Sequence, residues 1–223
     1  MQTMPHLQVT LKFLDQLAKN NNKVWFDAHR KGYDAAKLQF EVLLEDLIMN
    51  FGPIEDLVGM SPKNFTFRIN RDVRFSNDKS PYKNNMAAAL GQGGKKSRRL
   101  SYYLHLQPGE SFIAGGIYMP EGDQLKLIRK QIDEDPRELK KIISNKDFVK
   151  TFGDLNGEKL KTAPKGFAPD HPDIELLKHK QFLALHPLKE SDVTSAKFVA
   201  HIVTVCKAMK PFNEYFNRAL GLV

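Results

Sequence analysis

Between Arg68 and Lys83 the chain reads Arg-Ile-Asn-Arg-Asp-Val-Arg-Phe-Ser-Asn-Asp-Lys-Ser-Pro-Tyr-Lys. Five cations (Arg68, Arg71, Arg74, Lys79 and Lys83) stand against two acids, Asp72 and Asp78. A guanidinium grips phosphate or carboxylate through two parallel N–H bonds. In an extended segment, alternate side chains share a side, so Arg68 and Arg74 can clamp one anion, with Asn70 and Asp72 beside them. Asp72 can orient either arginine or take a proton. Asn77-Asp78 and the pre-proline Ser80 favour a turn, and Lys79, Tyr82 and Lys83 can deliver cations and a hydroxyl from it. The competing reading is an ion-pair network serving the fold, because structural networks cluster charges as binding sites do.

Other candidates carry less. His105 shares the polar side of a strand with Tyr103, where it can be built into a general base or held by a structural hydrogen bond. Trp25, Phe26 and His29 lie within one helical turn, a spacing that suits core packing or the rim of a pocket. Gly91 to Arg99 is rich in glycine and cations but lacks the phosphate-loop spacing, and a strand follows it. Asp170-His171-Pro172-Asp173 has metal-ligand residue types without a ligand spacing. Cys206 is the only cysteine, so internal disulfides and multi-cysteine zinc sites are excluded. No nucleophile elbow, zinc-protease motif, dinucleotide fingerprint or RNA-binding aromatic signature occurs. No cofactor and no metal are expected.

The net charge of +8 is local. Between Lys63 and Arg99 there are ten basic residues, including Lys95, Lys96, Arg98 and Arg99, and two acids; elsewhere the charges balance. Such a concentration attracts phosphates and other anions.

The elements that must position these residues change period along the chain. Leu7, Leu11, Leu14 and Leu17 repeat at helical spacing, and Asn20-Asn21-Asn22 offers caps and a break. A long helix is expected from about Lys23 to Phe51, closed by Gly52-Pro53. From Phe65 to Phe75 apolar and polar residues alternate, which predicts a strand burying Phe67 and Ile69 and turning Arg68 and Asp72 outward. Strands follow at Met86 to Leu90, Ser101 to Gln107 and Ser111 to Met119, joined by connections short enough to require antiparallel pairing. The small residues Ala87-Ala88-Ala89 and Ala114-Gly115-Gly116 leave room over the sheet for a close helix or a ligand. Helices are expected around Leu125 to Ile132 and Leu139 to Ile143, a strand at Phe182 to Leu188, and two last helices at Phe198 to Met209 and Phe212 to Leu220. The predicted architecture is α+β: a largely antiparallel twisted sheet of four to six strands, with helices on one face and at the ends.

At 223 residues the chain suits a single domain over 1–223. Met1 to His6 lacks a leader pattern, and the longest nearly apolar run, Phe112 to Met119, is far short of the roughly 20 residues that span a bilayer. With one cysteine, these features predict a cytoplasmic protein without membrane contact.

The block from Arg68 to Lys83, with Arg-Asp-Val-Arg-Phe-Ser at its centre, resembles the hallmark of a conserved-hypothetical family known as domain of unknown function 2461. The resemblance extends to Asn21-Asn22-Lys23-Val24-Trp25-Phe26, to Leu125 through Ile132, and to Pro164-Lys165-Gly166-Phe167 with His171-Pro172 and Leu177-Lys178. It implies one unit over nearly the whole chain and brings no reaction with it. The residues predict binding of an anionic, phosphate-bearing ligand by Arg68, Arg71, Asp72, Arg74, Asp78, Lys79, Tyr82 and Lys83. The alternatives are an enzyme acting on such a ligand through His105 or Asp72, and sequence-neutral binding of nucleic acid.

Overall fold

The computed structural model describes residues 7–222; the N-terminal segment read for a leader lies outside the described residues. The leucine stripe of α1 (Leu7–Lys19) is buried against α3 (Arg30–Asn50). Between them Asn22 caps α2 (Lys23–Ala28), its side chain accepting the Trp25 N–H at 2.9 Å. The single helix expected from Lys23 to Phe51 is interrupted at His29, where φ is −107° and ψ 21°. The His29 ring Nδ1 bonds back to the Trp25 carbonyl at 2.8 Å, a side chain competing for the helical ladder.

Four strands, β1 (Met86–Leu90), β2 (Tyr102–Leu106), β3 (Phe112–Ile117) and β4 (Phe182–Pro187), form one sheet in chain order, antiparallel throughout. The register aligns Ala88, Leu104 and Ile113 in one row and Ala89, Tyr103, Ala114 and Leu185 in the next, so these rows face opposite ways. The C-terminal helix α10 (Phe198–Ala219) packs on the side of Tyr102, Leu104 and Gly115. A Cβ at Gly115 would overlap the Met209 sulfur, so this glycine makes room for a close helix and not for a ligand. Buried Asn213 spans the contact: its Oδ1 accepts the Gly116 N–H at 2.7 Å, and its amide donates to the Ser101 carbonyl at 3.3 Å. Asn217 accepts the Leu100 N–H at 2.8 Å.

Two helices were expected beyond residue 198, separated near Pro211. One helix of 22 residues runs through that proline. Proline forfeits a ladder bond, yet Phe198, Ile202, Val205 and Met209 before it and Phe212, Tyr215 and Phe216 after it are buried in the same core, which holds both halves in line. Between β3 and β4 lie α5 (Gly122–Glu134), α6 (Arg137–Ile143), α7 (Lys146–Phe152) and α8 (Ile174–Leu177), and α9 (Glu190–Val193) leads into α10. The architecture is α+β, with four strands among the described residues, within the four to six expected. No described helix is long and apolar enough to cross a membrane.

The strand expected over residues 65–75 does not form. Phe65 ends α4 (Pro62–Phe65), and only Thr66 makes a bridge to the sheet, opposite Ala88. Beyond Ile69 the chain turns back as a loop closed by a second bridge, Asn70 to Tyr82. Ile69 is buried as predicted, whereas Phe67 is half-buried and Phe75 is 97% exposed. The reason is local. Asp72 and Asp78 each accept backbone N–H groups two residues on, from Arg74 and Ser80, a bonding habit that pulls a chain into turns.

Candidate functional site

The loop from Ile69 to Lys83 is fastened at its base by three groups of contacts. Main-chain bonds run from the Arg71 N–H to the Pro81 carbonyl at 2.9 Å and from the Lys83 N–H to the Ile69 carbonyl at 2.8 Å. Asn21, arriving from the break between α1 and α2, treats Tyr82 as a neighbouring strand would. Its amide donates to the Tyr82 carbonyl at 2.8 Å, and its Oδ1 accepts the Tyr82 N–H at 3.1 Å. The buried Tyr82 ring lies flat on Phe26, with centroids 4.0 Å apart. The sequence offered Asn21 only as a cap, and no local pattern marks an amide that will meet a backbone 61 residues away.

The loop then divides its charges. Arg71 is paired with Asp78, whose carboxyl is held well below its ordinary range by the Ser80 hydroxyl and N–H and by that guanidinium. Arg74 forms a two-pronged pair with Asp72, at 2.9 and 2.7 Å, and lowers that carboxyl in the same way. Lys79 donates to the Val73 carbonyl at 3.0 Å. Arg68 and Lys83 have no carboxylate partner among the described residues. Burial, and then the charge of Arg68, push the Lys83 ammonium below the ordinary lysine value.

Two hollows flank these side chains. One, of about 200 Å³, is lined by Arg68, Lys63, Lys95, Lys37 and Glu41 over an apolar floor that includes Phe67 and Met86. Lys37 and Glu41 pair at 3.3 Å, and Lys95 is tied to the carbonyls of Lys63 and Thr66. The other, of about 410 Å³, is polar and holds Asn21, Arg71, Asp78, Tyr82 and Lys83. Asn85 lines both. Thus Arg71, Asp78, Tyr82 and Lys83 come together, Arg68 opens on the neighbouring hollow, and Arg74 with Asp72 stands in solvent at the loop's tip. All of these lie within residues 9–215, which match the model of the conserved hypothetical protein family DUF2461. The chain belongs to that family. Comparison with curated proteins and with solved structures finds no match.

His105 lies on the sheet face away from α10. Its Nε2 donates to Gln107 at 3.1 Å, leaving Nδ1 to accept the Tyr103 hydroxyl at 3.2 Å, and burial lowers its basicity. Both ring nitrogens are therefore engaged. Asp72, the other candidate base, is exposed and spends both oxygens on Arg74. Trp25 and His29 stack at 4.1 Å beside Phe13. In the segment from Asp170 to Asp173, His171 bonds Asp133 at 2.9 Å, and buried Asp173 is paired with Lys140. Among the described residues no three His, Cys, Asp or Glu side chains gather as a metal would need. Cys206 is buried, which raises its thiol well above the ordinary value.

Proposed function

We propose that this protein binds a phosphate-bearing anion at Arg68 and Lys83. The observation that carries the reading is the contrast within one loop. Arg71 and Arg74 each pair with an aspartate, whereas neither Arg68 nor Lys83 forms an ion pair among the described residues, and burial and then the charge of Arg68 lower the Lys83 ammonium. Two like charges whose fields meet are relieved by an anion, and a guanidinium and an ammonium at adjoining hollows supply donors that phosphate oxygens accept. Lys63 and Lys95 around the Arg68 hollow extend the positive field.

The test is thermal unfolding in pyrophosphate against chloride of equal ionic strength. Binding stabilises the native state by RT ln(1 + [L]/Kd), about 2.7 kcal/mol at a hundredfold excess over Kd. Pyrophosphate should raise the melting temperature beyond chloride, and Arg68→Ala or Lys83→Met should remove the difference. Equal melting temperatures in the two salts for the wild-type chain would end the reading.

A further inference from the structure

We infer that the open face of the sheet is a stacking platform for the bases of single-stranded nucleic acid, whose phosphates occupy the Arg68–Lys83 site. The inference rests on that anion site and names its ligand. Four aromatic rings run in contact across the face turned away from α10. Phe67 lies 6.0 Å from Tyr103, Tyr103 lies 5.9 Å from Phe112, and Phe112 stacks on His105 at 4.6 Å with planes 12° apart. All four are half-buried, and Ala87, Ala89 and Ala114 between them keep the surface low. None of these four rings is fully buried, unlike Tyr102 and Leu104 on the other face.

The row begins at the cations. The Lys83 ammonium stands 5.7 Å from the centre of the Phe67 ring. Arg68 follows Phe67 directly in the chain. A ligand with planar rings and regularly spaced negative charges matches both features at once. A free phosphate uses only the cations, and an apolar peptide uses only the rings. Duplex nucleic acid has its bases stacked on one another and presents no ring faces. Stacking on aromatic side chains beside a basic margin is how single strands are held without regard to sequence. Lys96 and Arg98, exposed on the β1–β2 loop, add cations next to the strands that carry the platform.

The experiment is fluorescence anisotropy at low salt with an oligothymidylate of about 12 nucleotides, within the site sizes of single-strand binders. An abasic chain of the same length and a duplex serve as comparators. The wild-type chain should bind the oligothymidylate at least about fivefold more tightly than the abasic chain, the effect of one stacked base. Phe112→Leu keeps apolar bulk while removing the ring; it should abolish that preference and leave abasic binding unchanged. Phe67→Leu should abolish the preference too and, because that ring floors the Arg68 hollow and faces Lys83, should also weaken abasic binding. Arg68→Ala with Lys83→Met should weaken both ligands together. Equal binding of the two chains by wild type, a preference that survives both leucine variants, or duplex binding as tight as single strand would each overturn the platform. None of those results touches the anion site, which fails separately if neither chain binds and pyrophosphate gives no shift.

Discussion

Toward α10 the sheet presents Gly115 to Met209, and Asn213 and Asn217 satisfy the main-chain groups of Gly116, Ser101 and Leu100. On the other face, at the Phe67 margin, Lys83 sits half-buried beside Arg68 with only a ring for company. The same strands make both faces, so strand chemistry does not explain the difference. The closed face is filled to the limit of side-chain volume at Gly115, and Asn213 supplies the partners that the Gly116 N–H and the Ser101 carbonyl would otherwise lack, at a cost greater than the bonds are worth. The open face keeps a charge repulsion that a neutral side chain would relieve. The proposed anion would relieve that repulsion.

The largest effect that tests this contrast is on the closed side. Asn213→Ala leaves the Gly116 N–H and the Ser101 carbonyl without their partner and should cost about 1–3 kcal/mol in urea unfolding. A smaller loss would mean that water reaches the interface and the face is less closed than described.

Acid separates the faces next. Burial lowers the basicity of His105 on the open face and of His179 and His201 elsewhere in the molecule. The unfolded chain therefore binds more protons than the native one. The stability involved is whole above the ordinary histidine value of about 6.5 and is lost as the pH falls through it. The melting temperature at about pH 5 should lie below that at about pH 7.5. His179→Gln should flatten this dependence more than His105→Gln, because His179 is buried and His105 half-exposed.

On the open face the expected changes are small and of the opposite sense. Lys83→Met removes a charge that Arg68 opposes, so the unliganded protein should hold its stability or gain up to about 0.5 kcal/mol, while its response to pyrophosphate disappears. Arg74→Ala breaks an exposed pair within a turn. It should change stability by less than about 0.5 kcal/mol and leave the pyrophosphate response in place. Loss of that response in the Arg74 variant would move the site to the loop's tip.

The fold was legible where burial is periodic. The leucines of α1, the alternation Tyr102, Leu104 and Leu106 in β2, and the short connections of the meander all read directly. The Arg68 to Lys83 segment was legible as chemistry and misleading as structure. Its alternation is real, but Asp72 and Asp78 bend the backbone into turns, and Phe75 ends in solvent instead of the core. What could not be read is pairing across distance. Nothing local tells that Asp78 will take Arg71, or that Phe67 will join Tyr103 and Phe112, since each partnership depends on where the loop is fastened.

That fastening also affects how the molecule meets copies of itself. β1 is an outer strand of five buried, apolar residues, the kind of unpaired margin along which chains add to one another and aggregate. Thr66 bridges Ala88 and the Phe67 N–H binds the Ala87 carbonyl at 2.9 Å, so this short stretch occupies the margin. Asn156 does the same for β4 opposite Leu183. The residues that screen β1 lead straight into Arg68. A change that frees this stretch would therefore disperse the cations and, in the same step, expose a template for assembly into insoluble polymer.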